Sequence, residues 1–439
     1  MSMSSHAHRP KPLPLRSRDE YTIGIVCALK REAIAVQSAF DHFFLKENEK
    51  VETADGDENA YSFGTMGRYH VVLAHLGDMG GLEAKGVANN MRRSFRNIKL
   101  CLVVGICGIV PVIEEHETLL GDVVISTLVK QYDRGKEYPS GFKETNMLGP
   151  ASIQLKRAFN SLDTPQPMEY LQELLKQHLL ELNEHKHMKT YHYPGYRFDH
   201  LYDAGYVHEH SAGCTTCAAN NYCKAAVEAS CDQLQCFADK ILSRKRITDL
   251  DQTAEAMGNT SDNARRRALD EKFNAGMLPR IYLGAVASGN KVMKNGTMRD
   301  DVAKDNEVIA FEMEGAGVWS TFPTVVIKAA CDYADSHKNK RFQNYASMVA
   351  AACAKAFLEQ LQMGLPGNVM LDAVGASGPA QSRHQRNEDR QPVPTRREGE
   401  VSNIFSGNFT GTNFGMGQNY TSQGDMYFGS SPGSGNHRA

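Results

Sequence analysis

The chain lacks any uninterrupted apolar run long enough to cross a bilayer. Its most apolar stretch, Leu100 to Ile113, is broken by Gly105, Gly108 and Pro111. It falls well short of the roughly 20 residues that span a membrane, and so predicts a buried strand. A secretory signal is also missing, because the opening residues are rich in His, Pro and Arg and contain no apolar centre. Charge of one sign is scarce too. The formal net charge is -2 and the basic residues form no long block, which excludes a general attraction to nucleic-acid polymers or anionic membranes. Any substrate phosphate must be bound locally. With no signal, the 10 cysteines point to a reducing, cytoplasmic setting and not to a disulfide framework. Cys27, Cys101, Cys107, Cys331 and Cys353 stand in apolar contexts and read as core thiols.

What is present is one large patterned region with appendages. Residues 1–19 read as a disordered arm, 363–400 as a linker of Gly, Pro, Ser, Gln, Arg and Asn, and 401–439 as a Gly/Asn segment interleaved with Phe and Tyr. That last composition is prion-like: either a plain disordered tail or a segment able to stack as strands when copies meet. Between 20 and 362, strand patterns such as Tyr21 to Leu29, Leu283 to Ser288, Val308 to Phe311 and Thr324 to Ala330 alternate with helical ones such as Lys30 to Phe40 and Leu82 to Phe95. Apolar strands alternating with helices imply an α/β sheet covered on both faces. Residues 155–279 break the pattern and read as a helical, Cys-containing insertion, with helices over Met168 to His185 and Cys223 to Arg246.

Acids stand where strands end. Glu312 and Glu314 follow Val308 to Phe311, two residues apart and on one face if extended geometry persists, and Asp332 follows Thr324 to Ala330. Open α/β sheets place ligand-binding groups at such ends. Asp335 is the rival to Asp332, although it suits the duty of a helix N-cap better. Breaking an N-glycosidic bond passes through a cationic sugar, which requires a carboxylate near the ribose and an acid that protonates the leaving base.

Five ordered motifs, ALKREA at Ala28, VGICG at Val104, ASGNKVM at Ala287, FEMEGAGVW at Phe311 and KAACDYADSHKNKRFQNYA at Lys328, resemble the nucleoside phosphorylase and nucleosidase superfamily, in its fungal branch. The likeness covers 20–362 apart from most of the insertion. It implies a three-layer phosphorylase-type fold with a mixed central sheet flanked by helices. It assigns Glu314 to the ribose hydroxyls, Asp332 to purine N7 and Glu32 to activation of water. Gly105 and Gly108 resemble the ribose-side loop. Ser288, Gly289, Val292 and Met293 resemble the loop over the base, with Phe311, Glu312, Met313 and Met79 as further lining. The resemblance also implies a homo-oligomer, adenine as the base, and an effector acting on nucleosides or on nucleotides such as ATP in fungal immune signalling, with a self-templating or receptor partner at the tail.

Two alternatives remain open at this point: a phosphate-dependent phosphorylase, and a catalytically idle binding or amyloid-assembly module. Phosphorylases of the superfamily hold phosphate with an arginine and a hydroxyl where this chain has Val103 and Ile106, and an apolar pair cannot hold a dianion. Lys30 and Arg31 are the route by which charge could still reach a phosphate. Arg134, Lys136 and Lys143 could meet substrate phosphates or simply be solvated. No cofactor is expected. His208, His210, Cys214 and Cys217 have a spacing that a structural zinc accepts, with Cys223, Cys231 and Cys236 as further candidates; a reduced, metal-free cap is the other reading.

Overall fold

The computed structural model describes residues 17–44, 51–139, 141–144, 148, 152–210, 212–219 and 222–364. The expectations for residues 1–16, for the linker beyond 364 and for the segment 401–439 lie outside the described residues. Within the expected arm, Arg18–Glu20 form a short 3-10 turn capped by Ser17.

Among the described residues, thirteen strands alternate with helices. They are β1 Ile23–Cys27, β2 His42–Phe43, β3 Ala60–Met66, β4 Tyr69–His75, β5 Leu100–Ile109, β6 Val112–Ile113, β7 His116–Glu117, β8 Val123–Gln131, β9 Gly135–Tyr138, β10 Gly141–Glu144, β11 Ile281–Ser288, β12 Val308–Glu312 and β13 Thr324–Asp332. Nine form one mixed sheet in the order β12-β11-β8-β13-β5-β1-β4-β3-β2, while β6/β7 and β9/β10 are separate ribbons. Parallel pairing joins β4, β1, β5 and β13 in turn. The long β5 also reaches back to β12, antiparallel, through Gly108 and Ile109. Strands β12, β11, β8, β13 and β5 therefore close into a ring. At its rim Gly108 pairs with Phe311 on one side and with Asp332 on the other. The first strand ends that the sequence marks with acids are brought together by this closure.

Burial of successive residues explains the layering. Ile23, Ile25, Leu102, Val104 and Ile327 enter one core, while Val26, Cys101, Val103 and Val326 enter a second. A period-2 strand feeds both only if the sheet is covered twice. Helices α1 Lys30–Ser38 and α2 Gly81–Ser94 lie among the early strands; α3 Ile153–Leu162, α4 Pro165–Glu184, α5 Thr215–Ala218, α6 Lys224–Glu228, α7 Cys231–Leu234, α8 Lys245–Gly258 and α9 Asn263–Met277 belong to the insertion; α10 Gly296–Asn306, α11 Gly315–Trp319 and α12 Gln343–Gly364 complete the set. Helix α12, with Ala350 to Ala354 fully buried, packs on β13, β5, α1 and α4, and α2 packs with α11 on the opposite layer. The result is the three-layer fold expected from the resemblance.

Two local expectations are corrected. Cys223 to Arg246 is not one helix. It breaks into α6, α7, a 3-10 turn Ala238–Lys240 and the start of α8, with Gln235 in the left-handed region at φ 52°. Asp335 caps no helix either: its Oδ1 accepts the His337 amide at 2.9 Å, closing a turn well before α12 begins. No described helix is long and apolar enough to cross a membrane.

Candidate active site

Glu32 stands in the first turn of α1, directly after β1. Its Oε2 accepts the Ala28 and Leu29 amides at 2.9 and 2.8 Å, the acid half of a capping box. Its Oε1 accepts the Ile106 amide of β5 at 2.8 Å. Burial pushes its pKa up, Lys328 opposes that shift and Glu314 adds to it. The close approach depends on Gly105, where a Cβ would lie 2.0 Å from Glu32 Oε1. Gly105→Ala is therefore expected to displace the carboxylate and reduce turnover by ~10²-fold, the lower end of general-base contributions. Steady-state kinetics alongside a thermal melt check this, because a loss of turnover without unfolding isolates the displaced group.

Glu312 and Glu314 do not share a face. The extended geometry ends at Glu312, and Glu314 takes φ -111° and ψ -32° at the start of α11. Glu312 turns back to accept the amides of Glu314 and Gly315 at 2.9 to 3.0 Å. Burial raises its pKa, with Lys328 acting against the shift. Glu314 instead reaches across the site, its Oε2 accepting Lys328 Nζ at 2.9 Å and its Oε1 the Gly80 amide at 3.4 Å. Lys328 rises from the middle of β13 and is 1% exposed. Burial disfavours its charge, but Glu314, Glu32 and Glu312 outweigh that and raise its pKa, so it stays cationic. Three acids thus converge around one buried ammonium.

Asp332 ends β13, on the neighbouring rim. Its Oδ1 accepts the Ala334 amide at 2.9 Å and lies 2.9 Å from Lys338 Nζ, while Oδ2 accepts the Cys331 thiol at 3.2 Å. Ala334 adopts φ 55°, a conformation that few non-glycine residues take and that turns its amide back on the carboxylate. At Gly108, a Cβ would meet Asp332 Oδ1 at 2.9 Å. The next residue, Tyr333, is anchored from the insertion: its hydroxyl donates to Asp199 Oδ1 at 2.7 Å, and Asp199 forms a buried ion pair with Arg244 at 2.9 Å.

Glu32, Glu314 and Asp332 all open onto one cavity of about 1270 Å³, which Met79, Gly108, Val292, Met293, Phe311, Glu312 and Met313 also line. Three residues expected in the lining are absent from it. Gly105 presses on Glu32 from behind. Ser288 is fully buried and accepts the Ala316 amide at 3.0 Å. Gly289 spends its amide on the Glu312 carbonyl at 3.1 Å. Their loop is nevertheless tied over the cavity, since Tyr132 donates to the Lys291 carbonyl at 2.9 Å and the Asn290 amide to Asp133 Oδ2 at 2.6 Å. Among the cations, Arg134, Lys136 and Lys143 lie on or beside the β9/β10 ribbon and do not reach the cavity, nor do Lys30 and Arg31; Arg31 donates to Asn344 Oδ1 at 2.9 Å. The mouth carries a different set: Arg197, Lys291, Lys294, Lys338, Lys340 and Arg341. Sequence reading missed these and Lys328. The only signal for Lys328 was a lysine inside an apolar strand.

The four residues expected to share a zinc are split. His210, Cys214 and Cys217 stand with Cys223, whereas His208 stands with Cys231, Cys236 and His337. All ten cysteines are free thiols.

No family model matches the chain. It is 28% identical over 366 residues to a nucleotide-binding leucine-rich repeat (NLR)-like protein of Hyaloscypha variabilis, an alignment covering 81% of this chain and 30% of that protein. The chain thus spans about a third of the length of that relative. Among solved structures it is similar to futalosine hydrolase of Helicobacter pylori, at 13% identity and a TM-score of 0.39, covering 78% of this chain and 98% of that one. It is also similar to the 5'-methylthioadenosine/S-adenosylhomocysteine nucleosidase of Neisseria meningitidis in complex with methylthio-immucillin-A, at 14% identity and a TM-score of 0.38, covering 78% and 99%. The MTA/SAH nucleosidase of Streptococcus pneumoniae in complex with 8-aminoadenine gives 15% identity and a TM-score of 0.39, covering 77% and 100%. In the order of its motifs and in its three-layer mixed sheet, the chain resembles the nucleoside phosphorylase and nucleosidase superfamily.

Proposed function

We propose that the described domain hydrolyses the N-glycosidic bond of purine nucleosides or nucleotides. The observation that carries this reading is the convergence of Glu32, Glu314 and Asp332, from three separate elements, on one cavity. Glu314, paired with the Lys328 ammonium at 2.9 Å, accepts from the ribose hydroxyls and stabilises positive charge as it develops on the sugar. The C1′–N9 bond breaks with its electron pair going to the purine. The purine takes a proton at N7 through Asp332, which draws it from the Lys338 ammonium 2.9 Å away and leaves a neutral amine for solvent to reprotonate. Water then adds to C1′ and gives its proton to Glu32, whose raised pKa suits a general base. Hydrolysis is favoured over phosphorolysis because Val103 is buried and Ile106 presents only its side chain and an amide already given to Glu32.

The cationic mouth supports a phosphorylated substrate such as AMP or ATP; adenine as the base rests on the family resemblance alone. The mouth also carries acids, Glu228 and Asp232, and Asp232 lies 3.8 Å from Arg341. Incubation with adenosine, inosine, AMP and ATP, with and without phosphate, tests the reading. Free base without phosphate supports hydrolysis; base and ribose 1-phosphate appearing only with phosphate would replace it by phosphorolysis; no base under any condition leaves the idle module. Reversing both Lys294 and Arg341 to Glu is expected to lower kcat/KM for AMP about tenfold, the worth of one charge-assisted contact, and to leave adenosine nearly unchanged. Equal losses on the two substrates would refute the phosphate role. An effector role in fungal immune signalling belongs to the same proposal, and the NLR-like relative is what supports it.

A further inference from the structure

The part of the insertion between Val207 and Ile241 is too small to hold itself together by apolar burial. Its helices α5, α6 and α7 have four or five residues each, and its core consists of Cys217, Ala226 and Leu234, with four half-buried residues beside them that include Cys214, Cys223 and Cys236. Small modules of this kind fold around a disulfide or a metal. Here every cysteine is a free thiol.

The cysteines and histidines instead gather into two sets of four. In each, the ligand atoms lie within 4.8 Å of one another. Around a tetrahedral zinc, with Zn–S of about 2.3 Å and Zn–N of about 2.05 Å, sulfurs stand about 3.8 Å apart and sulfur and nitrogen about 3.6 Å. In the first set, His210 Nδ1 lies 3.4 Å from Cys217 Sγ and 3.8 Å from Cys223 Sγ, and Cys214 Sγ lies 3.9 Å from Cys223 Sγ. The Thr216 and Cys217 amides turn back onto the Cys214 sulfur, the kind of support that a thiolate ligand needs. In the second set, Cys231 Sγ lies 3.7 Å from His337 Nδ1. His337 Nε2 donates to the Tyr206 carbonyl at 3.0 Å, which fixes the tautomer and leaves the Nδ1 lone pair toward the cysteines. Its ring stacks against Tyr202 and Tyr206, at 4.1 and 4.8 Å between centroids.

We propose that the chain binds two zinc ions, one held by His210, Cys214, Cys217 and Cys223 and one by His208, Cys231, Cys236 and His337, and that the second clamps the insertion to the catalytic loop. Four protein ligands leave no open position, so both sites are structural. They differ in what they hold. The first joins only segments of the insertion. The second takes His337 from the loop that carries Asp332 and Lys338, and the His208 amide donates to Ser336 Oγ of that loop at 3.0 Å. His337 is thus a positioning residue: its place at the metal sets its neighbour Lys338 on Asp332.

Metal content of the full chain tests the sites without reference to activity. After dialysis against a weak chelator, elemental analysis is expected to give two zinc ions per chain. Cys217→Ser and His337→Ala should each retain one, and the combined variant none. Cobalt substitution should show thiolate-to-cobalt charge transfer with different tetrahedral bands in the two single variants, reflecting three-sulfur and two-sulfur ligand sets. Fewer than one zinc per chain in the wild type, with all thiols reacting equally fast with and without chelator, would overturn both sites. Unchanged metal content in His337→Ala would overturn the second. The clamp rests on the proposed hydrolysis: His337→Ala should lower kcat about tenfold with KM little changed, Cys217→Ser should leave both near wild type, and His337→Cys should restore zinc and turnover together. A wild type with two zinc ions but no turnover would count against the hydrolase reading and leave the sites standing; zinc lost from His337→Ala with kcat intact would remove the clamp alone.

Discussion

Replacing Asp332 by asparagine is expected to lower kcat for purine substrates by ~10²–10⁴-fold, the range associated with a positioned proton donor. Asparagine preserves the hydrogen bond from the Ala334 amide but cannot deliver a proton to N7. It also removes the negative partner of Lys338, so some repositioning of that side chain is expected. A substrate that needs no protonation separates the two effects. With p-nitrophenyl riboside, whose leaving group departs as a stable anion, Asp332→Asn should recover most of its turnover. Glu314→Gln should not recover, because charge on the sugar develops with either leaving group. If the activated riboside were hydrolysed by both variants equally poorly, the division between leaving-group and sugar stabilisation would be wrong.

How far such roles can be read from residue order depends on whether a residue acts through neighbours in sequence or in space. Glu32, Glu314 and Asp332 were legible because each follows an apolar run, and a strand end in an α/β sheet is where side chains meet a ligand. The layering was legible for the same reason, since strands that are apolar on both faces need cover on both. Lys328 was not, because a cation in the middle of an apolar strand reads as an interruption until the three carboxylates around it are in place. His337 was not legible as a metal neighbour either: its partner Cys231 lies 106 positions away, and no spacing rule spans such a gap. The pairing of Glu312 with Glu314 failed on local backbone. Period-2 reasoning holds only while the chain is extended, and here the strand stops at Glu312 and the helix takes over. The mouth cations come from three segments, Arg197 in the insertion, Lys291 and Lys294 after β11, and Lys338, Lys340 and Arg341 after β13, so no single basic run in the sequence marks the set.

Removal of Lys328 is expected to have the largest effect on stability. Lys328→Met leaves Glu314, Glu32 and Glu312 buried around an apolar side chain, and breaking one side of a buried ion pair costs about 3–5 kcal/mol. The deficit should depend on pH in a defined direction. Burial raises the pKa of Glu32 and Glu312 above their ordinary value of 4.5, and Lys328 opposes that rise. An acid whose folded pKa is raised contributes stability that is fully present below its unfolded pKa and is lost as pH climbs through the folded one. Without the lysine both pKa values move further up. The variant should therefore come closest to wild type near pH 4 to 5, at about the unfolded value, and fall progressively behind toward pH 8. Lys328 itself acts in the same sense, since its raised pKa keeps the wild-type pair intact throughout this window. Urea denaturation at several pH values measures the trend, and a deficit that shrank as pH rose would contradict it. Pairing Lys328→Met with Glu314→Gln removes both members of the ion pair and should recover much of the lost stability. It should recover none of the turnover, because the sugar cation would then lack the Glu314 carboxylate.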